Sequence, residues 1–267
     1  MFVTGKGGVG KSTVAAAIAL LSARRGKKVL LVSMDGKPPV CPAHPNISMS
    51  VYDTEEALRE YIRIYVKIPF VSRLGVLAQT LDFVADAAPG VREILAVGKV
   101  CYDARTDEHD LVVVDAESSG HVASQLAAPR TIRSLAQVGM LREQTEWMID
   151  MLSDPATTSA VLVSSPEESP VDETIELAVA IRDEAHVAVP LVIVNRMPEM
   201  PPRAADAAAP RITALLTARH DRATAQVQRL VRHPGCAAID VVLVPRFDTN
   251  EIEAVADALA DEFGEAL

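Results

Sequence analysis

The chain has 267 residues, 49% of them apolar and 4% aromatic, so it can bury a large core packed mainly by aliphatic side chains, and extended disorder is excluded. Its formal net charge of −10 argues against electrostatic attachment to nucleic acid or to an anionic membrane surface. Three widely separated cysteines, Cys41, Cys101 and Cys236, form no C-x-x-C pair, so neither a thiolate metal site nor a disulfide framework is indicated.

Met1–Thr4 reads as a strand stub that enters a glycine-rich loop. Ser12 to Arg25 has helical periodicity, with Val14, Ile18 and Leu21 on one face. Val29–Val32 is an apolar strand of the kind covered on both sides, and Gly36 to Ser50, with its prolines, is expected to be loop. From Thr54 to about Val100 the pattern predicts several helices, broken at Pro69 and Pro89, with no strand among them. Leu111–Asp115 is a second buried strand, and Thr131 to Leu152 a long amphipathic helix. Further short strands are expected at Ala160–Ser164, Leu191–Asn195 and Val241–Val244. Helices follow them at Val171–Glu184, roughly Pro210–Arg232 and Thr249–Phe263, with a Pro/Ala-rich loop over Met197–Pro210. This alternation predicts an α/β fold: a doubly wound, mostly parallel sheet of at least six strands with helices on both faces. One domain over residues 1–267 is expected, with a helical insertion at about 54–100. No apolar run approaches the ~18 residues of a membrane span, and Lys6 and Lys11 fall where a secretory leader would be apolar. A cytoplasmic protein without an integral membrane segment is therefore expected.

Gly5-Lys6-Gly7-Gly8-Val9-Gly10-Lys11-Ser12 matches G-x-x-x-x-G-K-[ST], the loop of P-loop NTPases. Glycines let successive backbone N–H groups converge on a phosphate, and the helix that follows aims its positive end at the anion. Gly5, Lys6, Gly7, Gly8, Val9, Gly10, Lys11, Ser12 and Thr13 are thus candidate nucleotide-binding residues. Lys11 is placed to reach the β- and γ-phosphates, and the Ser12 hydroxyl suits Mg²⁺, a hard cation that prefers oxygen. Two apolar strands end in carboxylates, at Asp35 and Asp115. Beside a phosphate loop such groups serve Mg²⁺·ATP chemistry, one holding the metal and one orienting the attacking water. Asp115 reads as a Walker B carboxylate. Asp35 reads as the switch I residue that positions the water, and counts with Ser12 and Asp115 among the candidate metal ligands.

K-G-G-V-G-K-S-T (6–13) resembles the deviant Walker A of the ATPase class that includes partition ATPases, nitrogenase iron protein and arsenical-pump (ArsA-like) ATPases. That resemblance implies a catalytic Lys6 that crosses a dimer interface to the partner's nucleotide, alongside Lys11 and Asp35. Other segments resemble the ArsA-like branch, which includes targeting factors for tail-anchored membrane proteins. They are H-D-L-V-V-V-D-A-E-S-S-G-H (109–121), V-S-S-P-E-E-S-P-V-D-E-T (163–174), V-I-V-N-R (192–196) and V-P-R-F-D (244–248). The resemblance implies that Asn195 bonds the adenine edge and that Pro245 and Phe247 flank the ring. It implies a Mg-dependent ATPase, dimeric with itself or with a related ATPase, that couples ATP hydrolysis to an unknown client protein.

The chain departs from that branch at Gly36-Lys37-Pro38 after Asp35 and at Glu117-Ser118-Ser119 in switch II. Without a C-x-x-C the zinc-bridged dimer of the targeting factors is not expected. Two further readings stay open. A nucleotide-binding, weakly hydrolysing subunit of a heteromeric complex is favoured by the altered switch segments. A partition or division-positioning ATPase would need a DNA-binding surface or a membrane-binding tail, and the acidic carboxyl end argues against the latter.

Overall fold

Short runs of Val, Leu and Ile, apolar on both faces, make the strands. In chain order these are β1 (Phe2–Gly5), β2 (Val29–Ser33), β3 (Ile47–Val51), β4 (Leu111–Ser118), β5 (Ser159–Ser164), β6 (Ala188–Met197) and β7 (Asp240–Pro245). The helices are α1 (Lys11–Arg24), α2 (Val91–Arg105), α3 (Ser119–Leu135), α4 (Met140–Ser153), α5 (Glu168–Ala180), α6 (Pro210–Arg232) and α7 (Glu251–Phe263). The computed structural model describes residues 1–54, 56–57, 90–106, 108–135, 140–201 and 210–264. The sheet has seven strands in the order β3-β2-β4-β1-β5-β6-β7, and every pairing is parallel.

Side chains alternate across a strand, so each apolar strand feeds two cores. Leu30, Val32, Val112, Val114, Leu162, Val192 and Val194 face one side, where residues of α2 to α6 cover them. Val29, Leu31, Val113, Val161, Val163, Ile193 and Val242 face the other, under α1 and α7. Each fully buried Val or Leu contributes about 1.5–3 kcal/mol relative to exposure. That two-sided burial is why these segments read as continuous apolar runs rather than as alternating ones.

Register brings the carboxyl ends together. Ser33 lies opposite Asp115 across β2 and β4. Gly5 lies opposite Ser118 on one side and Val163 on the other. The chain leaves β1 for β2 on one side of the sheet and later crosses to β5 on the other, so β1 lies at the topological switch where doubly wound sheets bind ligands.

The structure corrects the sequence reading in three places. Ile47 to Ser50, expected as the end of a loop, belong to the edge strand β3, paired with β2 from Val29↔Ile47 to Ser33↔Val51. The single helix expected over Thr131 to Leu152 is two, because α3 starts at Ser119 directly after β4 and α4 at Met140. Helix α1 has no single apolar face: every residue from Val14 to Ala23 is buried, between the sheet and α7. Most of the insertion expected at about 54–100 falls outside the described residues, as do residues 202–209 of the expected Pro/Ala loop. Its last part is α2, packed on α3 and β4. Among the described residues no helix is long and apolar enough to cross a membrane.

Candidate functional site

The buried strand β1 delivers Gly5 to the carboxyl edge, where its φ of 151° and closeness to β5 exclude a side chain. A Cβ there would stand 2.0 Å from the Val163 carbonyl oxygen. Gly10 closes the loop with φ 99°, and a Cβ there would stand 2.4 Å from Asn195 Nδ2. Helix α1 then begins at Lys11 with no side-chain cap and no acidic residue in its first turn. Its first amides therefore have no side-chain acceptor competing for them, and the helix dipole reinforces their pull on an anion. Gly7 and Gly8 on the loop are exposed, whereas Val9 is buried and anchors it in the α1 core.

Charged groups converge behind that opening. Burial pushes the Lys11 ammonium below its ordinary pKa, opposed by the charges of Asp115 and Asp35. The same ammonium donates to the Lys6 carbonyl at 3.4 Å. Asp115, 8% exposed at the end of the apolar run of β4, has its pKa raised by burial. A hydrogen bond from the Ser12 hydroxyl and the charge of Lys11 oppose that rise, and Asp35 adds to it. Asp115 Oδ1 is buried with no hydrogen-bond partner. An orphaned carboxylate oxygen beside a serine hydroxyl is an all-oxygen donor pair, and it fits a small hard cation such as Mg²⁺. Asp35 is exposed, and its Oδ1 accepts from Ser33 Oγ at 2.8 Å and from the Lys37 amide at 3.0 Å. The Ser33 bond is the main cause holding the Asp35 carboxyl below the usual carboxylate range. It is therefore ionised at neutral pH.

The remaining candidates divide. Lys6 does not turn into its own loop: its ammonium donates to Ser169 Oγ at 2.5 Å and pairs with Glu173, both on α5. Asn195, 4% exposed, donates from Nδ2 to the Val9 carbonyl at 3.0 Å and accepts the Arg196 amide on Oδ1 at 2.9 Å. Pro245 pairs with Met197 at the neighbouring strand end, and the Arg246 amide donates to the Met197 carbonyl at 3.1 Å. Phe247 is half-buried against the core under α1 and α7. Sequence reasoning missed Ser169, Glu173 and Arg196, the last of which donates to the Gly8 carbonyl at 2.9 Å. Glu173 and Arg196 lie inside segments that carry the family resemblance, but nothing in their spacing announces a partner on the loop. Cys101 and Cys236 are buried in the core under α2 to α6, while Cys41 lies against the opposite one, so the three free thiols do not converge. Burial raises all three thiols, Cys101 to about 12. Among the described residues no group of three His, Cys, Asp or Glu side chains could hold a metal ion.

Comparison with known proteins matches this chain to ATPases. The sequence model of the family described as anion-transporting ATPase matches residues 1–64 and 132–211. ATPase BagA of Mycobacterium tuberculosis is 33% identical over 220 residues, covering 73% of this chain and 64% of its own. An ATPase ASNA1 homolog of Entamoeba dispar is 28% identical over 156 residues, covering 51% and 48% of the two chains. ATPase get3 of Schizosaccharomyces japonicus is 27% identical over 168 residues, covering 57% and 51%. The chain thus spans under two thirds of the length of the mycobacterial relative.

Proposed function

The chain belongs to the anion-transporting ATPase family, and on that premise we propose that it binds magnesium-ATP at the carboxyl edge of its sheet and hydrolyses the terminal phosphate. The observation that carries this reading is the uncapped start of α1, beside which Lys11, Ser12 and Asp115 converge with one carboxylate oxygen unused. The loop amides and the α1 amino end hold the phosphates, and Lys11 neutralises charge on the outer ones. Ser12 and Asp115 would hold the magnesium ion, which would supply positive charge to the phosphate oxygens. Asp35, kept ionised by Ser33, accepts a hydrogen bond from the attacking water and orients it. Pro245 and Phe247, beside the end of β6, flank the base.

Lys6 acts outside its own phosphate site. Its engagement with Ser169 and Glu173 supports that reading, because its ammonium leaves the loop that carries it. It completes the site of a second protomer, a copy of this chain or a related ATPase, when the two close around nucleotide. Closing and reopening then drive a client protein, as the resemblance to targeting factors implies.

Phosphate release by the wild type, Lys11→Ala and Asp35→Asn tests the proposal. Each variant is expected to lose about a hundredfold or more in turnover. Equal rates in all three would remove the reading.

A further inference from the structure

On the phosphate loop, two carbonyls are held by side chains from β6, the strand two places away from β1 in the sheet. Asn195 Nδ2 holds the Val9 carbonyl at 3.0 Å, and the Arg196 guanidinium holds the Gly8 carbonyl at 2.9 Å. A trans peptide plane carries its C=O and N–H in opposite directions. Fixing the Gly8 carbonyl toward β6 therefore fixes the Val9 N–H away from it, and fixing the Val9 carbonyl does the same for the Gly10 N–H. These amides belong to the matched loop, where successive N–H groups must converge for an anion to be bound. Without the clamps, a glycine-rich segment with Gly7 and Gly8 exposed would be free to rotate its planes, and ordering them would be charged against binding.

The backbone at Arg196 supports a dedicated role. Its φ is 60°, in the left-handed region that a non-glycine residue enters at a cost. In that conformation its amide donates to Asn195 Oδ1 at 2.9 Å, which leaves the Asn195 amide group free to donate to Val9. The two residues thus form one unit, with Asn195 orienting one plane of the loop and Arg196 the next. The guanidinium is exposed, and one of its nitrogens lies 3.9 Å from where a Gly10 Cβ would stand, so its charge sits beside the loop.

We propose that Arg196 is a positioning residue that pre-sets the phosphate loop, so that it governs affinity for the polyphosphate part of the nucleotide and not for its base. This rests on the ATP-binding reading above. The test is an equilibrium titration of wild type, Arg196→Gly and Arg196→Lys with magnesium-ATP and with magnesium tripolyphosphate, alongside thermal melts. Glycine relieves the left-handed backbone, so the melting temperature of Arg196→Gly stays level or rises. Its affinity for both probes falls by about tenfold, the loss of a charge-assisted hydrogen bond. Arg196→Lys keeps the charge without the planar fork and recovers only part of it. Unchanged ATP affinity in Arg196→Gly overturns the proposal. So does weaker ATP binding with tripolyphosphate binding unaffected or absent in the wild type, since the affected contact would then lie at the base. Failure of the wild type to bind ATP would instead strike the functional reading itself.

Discussion

Two segments at the carboxyl edge of the sheet carry the expected chemistry, and they are built differently. The phosphate loop is fixed from three directions: by the close approach of β1 to β5 at Gly5, by Asn195 and Arg196 on β6, and by buried Val9 in the α1 core. The segment after β2 has no such framing. Asp35 to Pro38 are exposed, and Asp35 is held by its own neighbours Ser33 and Lys37. One tie reaches across strands, from the Met34 amide to the Asp115 carbonyl at 3.0 Å. The contrast separates two tasks. Anion binding depends on amides already aimed, so that segment is rigid; water orientation depends on a carboxylate that is kept ionised but restrained only locally.

Gly5→Ala would break this contrast most severely. The new Cβ would meet the Val163 carbonyl at 2.0 Å, and neither strand can yield without losing sheet hydrogen bonds. A destabilisation of about 3 kcal/mol is expected, read from the urea midpoint. A loss below about 1 kcal/mol would mean that the β1–β5 approach is looser than described.

Asp115→Asn separates binding from stability. Burial raises the Asp115 pKa despite Ser12 and Lys11, so its ionised form weighs against the free protein at neutral pH. Removing that charge is expected to raise the melting temperature of the nucleotide-free protein. The gain from saturating magnesium-ATP, about 2.7 kcal/mol at a hundredfold excess over Kd, is expected to fall away. A variant that melts lower when free and still responds to magnesium would show that Asp115 is structural.

Much of this edge was legible in the sequence, and what was not has a physical reason. The loop from Gly5 to Ser12 follows a motif whose every residue has a chemical role, and β2, β4 and β5 are buried on both faces, so they read as unbroken apolar runs. Strand β3 escaped because it is an edge: Ile47-Ser48-Met49-Ser50-Val51 is half polar and only partly buried. The start of α3 escaped because Ser119, Gly120 and His121 carry no apolar periodicity, and Gly120 and His121 are exposed. Arg196 and Glu173 were invisible as partners of the loop because 188 and 167 residues separate them from Gly8 and Lys6. Local pattern reports which face of an element is buried, whereas pairing across the sheet edge is a property of topology.

The smallest expected effect falls on the less framed segment. Ser33→Ala removes the 2.8 Å hydrogen bond that does most to hold Asp35 below the usual carboxylate range, so the Asp35 pKa rises. The sign of the consequence follows from linkage. A carboxyl with a depressed folded pKa stabilises the fold at pH values above its unfolded pKa and loses that contribution as pH falls through its folded one. Ser33→Ala narrows that window from its acid side. Because Asp35 is exposed, the change in stability at neutral pH is expected to be slight. Turnover at neutral pH should also change little, since an ordinary aspartate, with a pKa near ~3.9, is already ionised there. Only the acid limb of the kcat profile should move, toward higher pH. If that limb stays in place while the melting curve is unaltered, Asp35 is not the group that orients the water, and the role must be sought on the better-fixed side of the edge.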